Sequence, residues 1–188
     1  MFIDKHFASQ QDCLCLLRAF TENNFAKTDY DFFSDMLLYA NDISDQSILK
    51  CMHNVSQQAL NKVQIYHTPQ LYLEALTLVS WPEGKGMGLH YDNAISTGHE
   101  DTATPWRDFS AIIYLNEDFD GGELYFERGE KTHEIKPETG MMVSFDSGPS
   151  NWHGVRPCKN GVRYTMGLWF TEQSQRMYSI KPFLDIET

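Results

Sequence analysis

The chain has 188 residues, 41% of them hydrophobic and 13% aromatic, and a formal net charge of −11. This length and composition predict one folded domain with a hydrophobic core and argue against a disordered segment. The acidic balance argues against nucleic-acid binding, which needs clustered Lys and Arg. We find no apolar run of the roughly 18 to 20 residues that a membrane span requires, and no secretory leader.

The cysteines and the chain end bear on cellular location. None of the cysteines forms a C-x-x-C pair, which is typical of reduced thiols in a cytosolic protein. The final residues, Leu-Asp-Ile-Glu-Thr, are not an ER-retention tetrapeptide. We therefore expect a cytoplasmic protein without disulfides and without a nucleic-acid or membrane partner. The oligomeric state stays open.

The first third of the chain has the three- and four-residue apolar spacing of amphipathic helices. Helices are predicted over residues 9–21, 32–38, 41–52 and 54–65. Asp29 or Asp31 is the expected cap of the second helix and Ser44 that of the third. We expect residues 1–66 to form a helical layer that supports a sheet.

From Leu71 onward, short β-branched and aromatic runs alternate with Gly and Pro turns, a pattern typical of strands in a sandwich or barrel. Strands are predicted over residues 71–81, 109–116, 123–127, 131–136, 141–145, 152–155 and 164–170, with a short one leading to His90. The polar segment 93–106 is predicted to be a loop, and we interpret it as a lid over a substrate; a mobile loop without a role is the alternative. The fold class is mainly β with flanking helices, in a single domain 1–188 whose β core covers 67–175.

Two histidines and an aspartate form a candidate metal site. His90 and Asp92 lie two residues apart, so on a strand they project to the same face, and His153 arrives from another strand. Two imidazoles and one carboxylate form the facial triad that holds non-haem Fe(II) with open positions, and the lack of cysteine disfavours structural zinc. Such a pattern also arises by chance in a chain with seven histidines.

Arg163 makes the pattern more specific. A cosubstrate with two carboxylates needs one end on the metal and the other on a fixed cation, and a guanidinium offers a planar fork for that purpose. If Arg163 faces the barrel, Thr165 shares its face and adds a hydroxyl, and Tyr114 donates its phenol to the same carboxylate. The alternative is a surface arginine at the start of a strand.

Several motifs lie between residues 73 and 173. They are His90-Tyr91-Asp92-Asn93, Arg107-Asp108-Phe109-Ser110, Tyr114-Leu115-Asn116, Asp118-Phe119-Asp120-Gly121-Gly122-Glu123-Leu124, His153-Gly154-Val155 and Leu168-Trp169-Phe170. Taken together, they resemble the prolyl hydroxylase superfamily, and in particular the catalytic domain of the prolyl 3-hydroxylases.

The resemblance implies a double-stranded β-helix, a cupin-like jelly-roll core with the N-terminal helices packed on one sheet. It implies that His90, Asp92 and His153 bind Fe(II), and that Arg163 and Tyr114 hold the distal carboxylate of 2-oxoglutarate. It further implies O2 as cosubstrate, ascorbate dependence, and hydroxylation of an unactivated C–H, in the first place on a prolyl residue, with release of succinate and CO2.

Four residues are candidates for the substrate pocket: Trp81, Arg107, Trp152 and Trp169. Trp81 and Trp152 are bulkier than the residues expected there, and core packing is the equal alternative for both. For Arg107 the alternative is a salt bridge to a nearby acid such as Asp108 or Glu117.

Three functions are compatible with these features. The first is hydroxylation of a prolyl residue in a peptide or protein, and the second is hydroxylation of a free amino acid or small natural product. The third is a catalytically silent jelly-roll binding module or a cupin-like metal protein. The intact set of three ligands and Arg163 argues against silence, because a degenerate copy is free to lose one of them.

Overall fold

The computed structural model describes residues 1–25, 31–94 and 104–184. This part contains two α-helices, α1 (Gln10–Glu22) and α2 (Gln46–Tyr66). Its strands are β1 (Phe2–Asp4), β2 (Leu37–Leu38), β3 (Tyr72–Trp81), β4 (Met87–His90), β5 (Phe109–Tyr114), β6 (Asp120–Gly121), β7 (Leu124–Arg128), β8 (Lys131–Ile135), β9 (Met142–Asp146), β10 (His153–Val155), β11 (Cys158–Lys159) and β12 (Arg163–Thr171).

The strands form two antiparallel sheets and a short two-stranded pair. The large sheet has the order β1-β9-β5-β12-β3-β2, and the small sheet has the order β4-β10-β7-β8. Side chains from both sheets, among them Tyr114, Phe126 and Phe145, form a shared apolar core. This is the predicted double-stranded β-helix, so the mainly β fold class is confirmed.

A second apolar core lies on the other side of the large sheet, where the two helices pack. It joins Leu16 of α1 and Met52 of α2 to Ile113 of β5 and Leu168 of β12, all buried. Because side chains alternate along a strand, each central strand of this sheet gives every second residue to the helices and the others to the space between the sheets. The predicted helical layer on one sheet is confirmed.

Both helices begin at side-chain caps that satisfy orphan backbone N–H groups. Ser9 and Asp12 form a reciprocal capping box at the start of α1, close to the predicted helix start. At α2 the Asp45 carboxylate accepts from the N–H groups of Ser47 and Ile48. The predicted cap at Ser44 is therefore wrong, and the helices predicted over 41–52 and 54–65 are one continuous helix.

The helix predicted over residues 32–38 is also wrong. The chain makes only a short 3₁₀ turn there, at Asp31–Phe33, and Asp35 then adopts a left-handed φ of 58°, which an α-helix does not allow. Leu37 and Leu38 pair with Val79 and Leu78 of β3 as an edge strand. Long-range pairing decides this segment, and the proposed cap at Asp29 lies outside the described residues.

Neither described helix is long and apolar enough to cross a membrane. All four cysteines are free thiols, as expected. The single-domain boundaries and the cytoplasmic location stay predictions. Residues 1–66 also supply β1 and β2 to the two edges of the large sheet, and are thus more than a helical layer.

Candidate metal and cosubstrate site

Three ligand-type side chains meet between the sheets. His90 ends β4 and His153 begins β10, and the two residues are direct partners in the antiparallel pair. The Nε2 atoms of His90 and His153 lie 3.4 Å and 3.7 Å from Oδ1 of Asp92. The three ligand atoms lie within 4.8 Å of one another, which is the spacing that a single metal ion requires.

The backbone sets the tautomer of both imidazoles. Nδ1 of His90 lies 2.9 Å from the carbonyl oxygen of Gly88, and Nδ1 of His153 lies 2.9 Å from that of Asn151. A carbonyl only accepts, so each Nδ1 carries the proton and each Nε2 presents its lone pair to the site. Both histidines are therefore prepared as ligands before any ion arrives.

Asp92 reaches the site by a different route from the one predicted. The strand ends at His90, and Asp92 lies in the turn that follows. The two side chains therefore do not meet through the alternation of one strand. A turn allows the carboxylate to fold back to the imidazole, so the predicted residue is brought to the site although the strand geometry was wrong.

Oδ2 of Asp92, the oxygen that points away from the histidines, accepts two hydrogen bonds. Ser110 Oγ donates at 2.5 Å and Trp169 Nε1 at 3.2 Å. Ser147 Oγ lies 2.7 Å from Ser110 Oγ. Neither Ser110 nor Ser147 was predicted from the sequence to lie at the site. The only available signal was that Ser110 precedes Tyr114 by an even number of residues on one strand and so shares its inward face.

Burial and mutual charge set the ionisation of the three ligands. Burial raises the pKa of Asp92, but hydrogen bonding and the charges of both histidines outweigh it and hold the pKa well below its usual range. Burial is the main cause that lowers the pKa of His153. For His90, burial lowers the pKa, yet the hydrogen bond and charge of Asp92 raise it above its usual value. An ionised carboxylate and an uncharged His153 are the forms that bind a metal.

A buried cation packs on the same aromatic cluster as His153, and no acidic side chain of the described residues pairs with it. Arg163 is 1% exposed, and its Nε and Nη1 atoms have no hydrogen-bond partner among the described residues. The Tyr114 hydroxyl, on a fully buried ring, also has none there. Burial raises the pKa of that phenol, and the adjacent Arg163 offsets part of the rise. Unpaired buried donors are costly, so their convergence indicates a site for an anionic group.

Aromatic rings and a hydroxyl enclose this cation. The Arg163 guanidinium carbon lies 5.2 Å from the ring centroid of Trp81 and 5.1 Å from that of Tyr114. Trp81 Nε1 donates to the Thr165 hydroxyl at 3.4 Å. Thr165, two residues from Arg163 on β12, therefore faces the same side of the strand, and Trp81 borders the cation.

A glycine with positive φ makes room for the arginine stem. Gly122 has a φ of 65°, and a Cβ there would lie 2.8 Å from the Phe119 ring and 3.0 Å from Cδ of Arg163. Gly122 is therefore needed for this close approach in the turn before β7. It allows the guanidinium to enter the space between the sheets.

The other substrate candidates fall into two groups. The Arg107 guanidinium lies 4.3 Å from the Trp169 ring centroid, and its Nε donates to Glu74 at 3.0 Å. The acid that pairs with Arg107 is therefore Glu74, and not Asp108 or Glu117. Trp152 is 42% exposed.

Trp152 packs edge-on against Tyr91, the residue between His90 and Asp92, at 4.9 Å between ring centroids. This contact ties the exposed Trp152 ring to the turn that carries Asp92. Most of the predicted lid over 93–106 lies outside the described residues, which resume at Thr104.

Comparison with known proteins adds the family to this geometry. Residues 76–171 match the model of the 2OG-Fe(II) oxygenase superfamily. The chain belongs to the 2OG-Fe(II) oxygenase superfamily. The family implies Fe(II), 2-oxoglutarate and O2, and the donor set fits the first two, with three ligand atoms for a metal and unpaired buried donors for a dicarboxylate.

Curated relatives of this oxygenase include prolyl 3-hydroxylases. Prolyl 3-hydroxylase 2 of Mus musculus is 41% identical over 92 residues, which cover 44% of this chain and 13% of that protein. Prolyl 3-hydroxylase 1 of Homo sapiens is 42% identical over 92 residues, covering 44% and 12%. The predicted resemblance is confirmed. The shared region is only about an eighth of the length of those relatives.

Solved structures similar to this oxygenase show the same fold. A prolyl hydroxylase from Trichoplax adhaerens, in complex with a peptide of the hypoxia inducible factor oxygen degradation domain, has a TM-score of 0.70 at 16% identity. The match covers 93% of this chain and 84% of that one. A prolyl-4-hydroxylase from Pseudomonas putida has a TM-score of 0.62 at 20% identity, with 90% and 83% covered.

Proposed function

We propose that this oxygenase hydroxylates a prolyl residue of a peptide or protein, with Fe(II) held by His90, Asp92 and His153. The observation that carries the proposal is a three-ligand cluster together with the buried Arg163, whose Nε and Nη1 atoms have no hydrogen-bond partner among the described residues. A metal site alone fits many proteins. A metal site with a fixed cation and phenol fits a dicarboxylate cosubstrate that bridges the two.

Each residue has a defined role in this proposal. Arg163 and the Tyr114 hydroxyl bind the distal carboxylate of 2-oxoglutarate. Thr165 and Trp81 keep the Arg163 guanidinium in position. Iron and 2-oxoglutarate together supply the oxidation that replaces a C–H hydrogen by hydroxyl, with O2 consumed and succinate and CO2 released. The two sheets exclude water, because the space between them is lined by buried side chains.

The proposed substrate rests on the relatives and on aromatic side chains near the metal ligands. The curated relatives are prolyl 3-hydroxylases. Trp152, beside Tyr91, offers an exposed ring for an apolar residue such as proline. Arg107, over Trp169, is proposed to contact a substrate carbonyl. We further propose that ascorbate sustains turnover.

Mass spectrometry and succinate release test the proposal together. Purified protein receives Fe(II), 2-oxoglutarate and ascorbate with a panel of proline-containing peptides and free amino acids. We expect one added oxygen on a peptidyl proline and succinate in equal amount. His90→Ala should abolish both signals, whereas His133→Ala, at an exposed position on β8, should leave them unchanged.

The alternatives give different results in the same experiment. If oxygen is added only to a free amino acid, the substrate is a small molecule and not a peptide, and the proposed reaction class still holds. Protein that binds no Fe(II) anaerobically and consumes no 2-oxoglutarate with any substrate would contradict the oxygenase activity itself.

A further inference from the structure

Two buried serines connect the metal-binding carboxylate to the strand on the far side of β5. Ser110 lies on β5 and is 2% exposed, and Ser147 directly follows β9 and is fully buried. Ser110 Oγ lies 2.5 Å from Oδ2 of Asp92 and 2.7 Å from Oγ of Ser147. The three side chains therefore form one continuous hydrogen-bonded row.

The ionised carboxylate fixes the direction of every bond in this row. Oδ2 of Asp92 only accepts, so Ser110 gives its one hydroxyl proton to it. Ser110 Oγ then accepts from Ser147, which must donate. Each hydroxyl bond polarises the next in this dry environment, so the outer serine strengthens the inner one as a donor.

The backbone holds the outer serine rigidly. Ser147 N–H donates to the Asp108 carbonyl at 3.0 Å, and the Ser147 carbonyl accepts from Asn93 N–H at 3.1 Å. Asn93 is the residue after Asp92. The turn that carries the carboxylate is thus tied to the same serine through the main chain and through the row of hydroxyls.

The two oxygens of Asp92 consequently have separate surroundings. Oδ1 is the oxygen close to both histidines. Oδ2 is occupied by Ser110 and by Trp169. We propose that Ser110, oriented by Ser147, is a positioning residue that restricts Asp92 to one metal-binding oxygen and so keeps a coordination position open for the 2-oxo acid. This inference rests on the proposed iron site.

The consequence can be measured without turnover, with Mn²⁺ alone as the metal. Mn²⁺ takes about six oxygen or nitrogen ligands, and a triad with single-oxygen Asp92 leaves about three for water. Water-proton relaxation of the Mn²⁺-loaded chain reports how many waters the metal holds. Ser110→Ala removes the shorter of the two hydrogen bonds that hold Oδ2 and leaves only the longer one from Trp169. Oδ2 can then turn to the metal, so the relaxation enhancement should fall by about one third.

The affinity of the Mn²⁺-loaded chain for 2-oxoglutarate should fall in parallel. We expect a loss of about 10-fold for Ser110→Ala, as is usual for a residue that orients a metal ligand. Ser110→Thr retains the hydroxyl and should remain within about 2-fold of the wild type. Ser147→Ala should cost about 3-fold, and adding it to Ser110→Ala should cost nothing further, because Ser147 acts through Ser110.

Ser144→Ala is the matched control. Ser144 is a fully buried serine on β9, but its hydroxyl bonds His67 at 3.1 Å on the helix side of the sheet. Loss of the Ser144 hydroxyl should leave the number of Mn²⁺-bound waters and the affinity for 2-oxoglutarate unchanged. If Ser110→Ala behaves like Ser144→Ala, or if Ser110→Thr fails to restore the wild-type values, the positioning role is overturned.

The same measurement separates this inference from the proposed function. Wild-type chain that binds no Mn²⁺ would overturn the metal site and with it the role of Ser110. Wild-type chain that binds Mn²⁺ and 2-oxoglutarate while the serine variants remain unchanged would overturn the role of Ser110 alone.

Discussion

The two faces of the large sheet follow opposite rules. Toward the helices, β12 presents Met166, Leu168 and Phe170, all fully buried in an apolar core. Toward the small sheet, the same strand presents Arg163 and Thr165, which are 1% and 2% exposed. On β12, the helix-facing side buries apolar groups, which gain from leaving water, whereas the other side also buries a charge and a hydroxyl, which lose by it.

The difference shows where stability and function are located. The helix face supplies the hydrophobic free energy that holds the sheet flat against α1 and α2. The inner face carries a free-energy cost, which a ligand with complementary charge would offset. Substitutions on the two faces should therefore separate cleanly into those that unfold the chain and those that impair binding.

The largest effect is expected from replacing a histidine of the small sheet, His153 on β10, which faces the space between the two sheets. His153→Ala removes one of three metal ligands, so affinity for Fe(II) or Mn²⁺ should fall by more than the roughly 10- to 100-fold of an outer-shell change. Titration calorimetry under anaerobic conditions measures it. His67→Ala, which removes a histidine bonded to Ser144 on the helix face, should leave metal affinity unchanged. Equal losses in both variants would show that the two faces are not separate.

Arg163→Met tests the buried cation. Loss of the charged partner should weaken 2-oxoglutarate binding by roughly 2 to 5 kcal/mol, with little change in metal affinity. The free energy of unfolding of the ligand-free chain should fall by no more than about 1 kcal/mol, because an unpaired buried charge is lost along with its packing. Urea unfolding and calorimetry give both values. A large loss of stability with unchanged 2-oxoglutarate binding would make Arg163 structural.

Leu168→Ala should lower the stability of the chain and leave ligand affinity unchanged, the opposite of Arg163→Met. It creates a cavity in the helix-side core, where Leu168 is fully buried, and should lower the free energy of unfolding by about 2 to 5 kcal/mol. The fraction that stays folded should bind metal and 2-oxoglutarate with wild-type affinity. A change in either affinity at a temperature where the variant is fully folded would show that the faces are coupled.

The smallest effect is expected at the helix layer itself. Hydrogen bonds from Ser47 are the main cause that lowers the pKa of Asp45 from 3.8 to about 2. A lowered folded-state pKa contributes stability that is complete above the unfolded-state value and is lost as pH falls toward the folded-state value. Asp45→Asn keeps a capping side chain but cannot ionise.

The Asp45→Asn variant should therefore have a slightly lower urea midpoint than the wild type at about pH 7. The difference should shrink below about pH 4 and vanish near pH 2. Metal affinity at neutral pH should not change. A difference between the midpoints that stays constant over this range would mean that the charge of Asp45 does not contribute.

Residue type and spacing were enough to predict that His90, Asp92 and His153 come together and that Arg163 is buried, whereas their roles stay predictions. His90, His153 and Arg163 have few roles available on an inward strand face, so chemistry restricts them. Asp92 was predicted from the alternation of side chains along a strand. The strand ends two residues earlier, at His90, and no local signal in the sequence shows that end.

Ser110 and Ser147 could not be predicted in this way. Serine is common in many environments, and the two hydroxyls meet only because β5 and β9 are neighbours in the sheet. The helix prediction for the segment around Leu37 was wrong for a related reason. Its apolar spacing fits a helix, but pairing with Val79, far along the chain, overrides local preference.

Strand β12 supplies packing groups and binding groups in strict alternation, and this has a consequence for engineering the protein. Inserting or deleting one residue within Arg163–Thr171 would exchange the two sets, aiming leucine and methionine at the cosubstrate and arginine at the helices. Length changes in this strand should be far more damaging than any single replacement. Randomised libraries can instead vary the odd positions other than Arg163 for specificity and the even positions for stability.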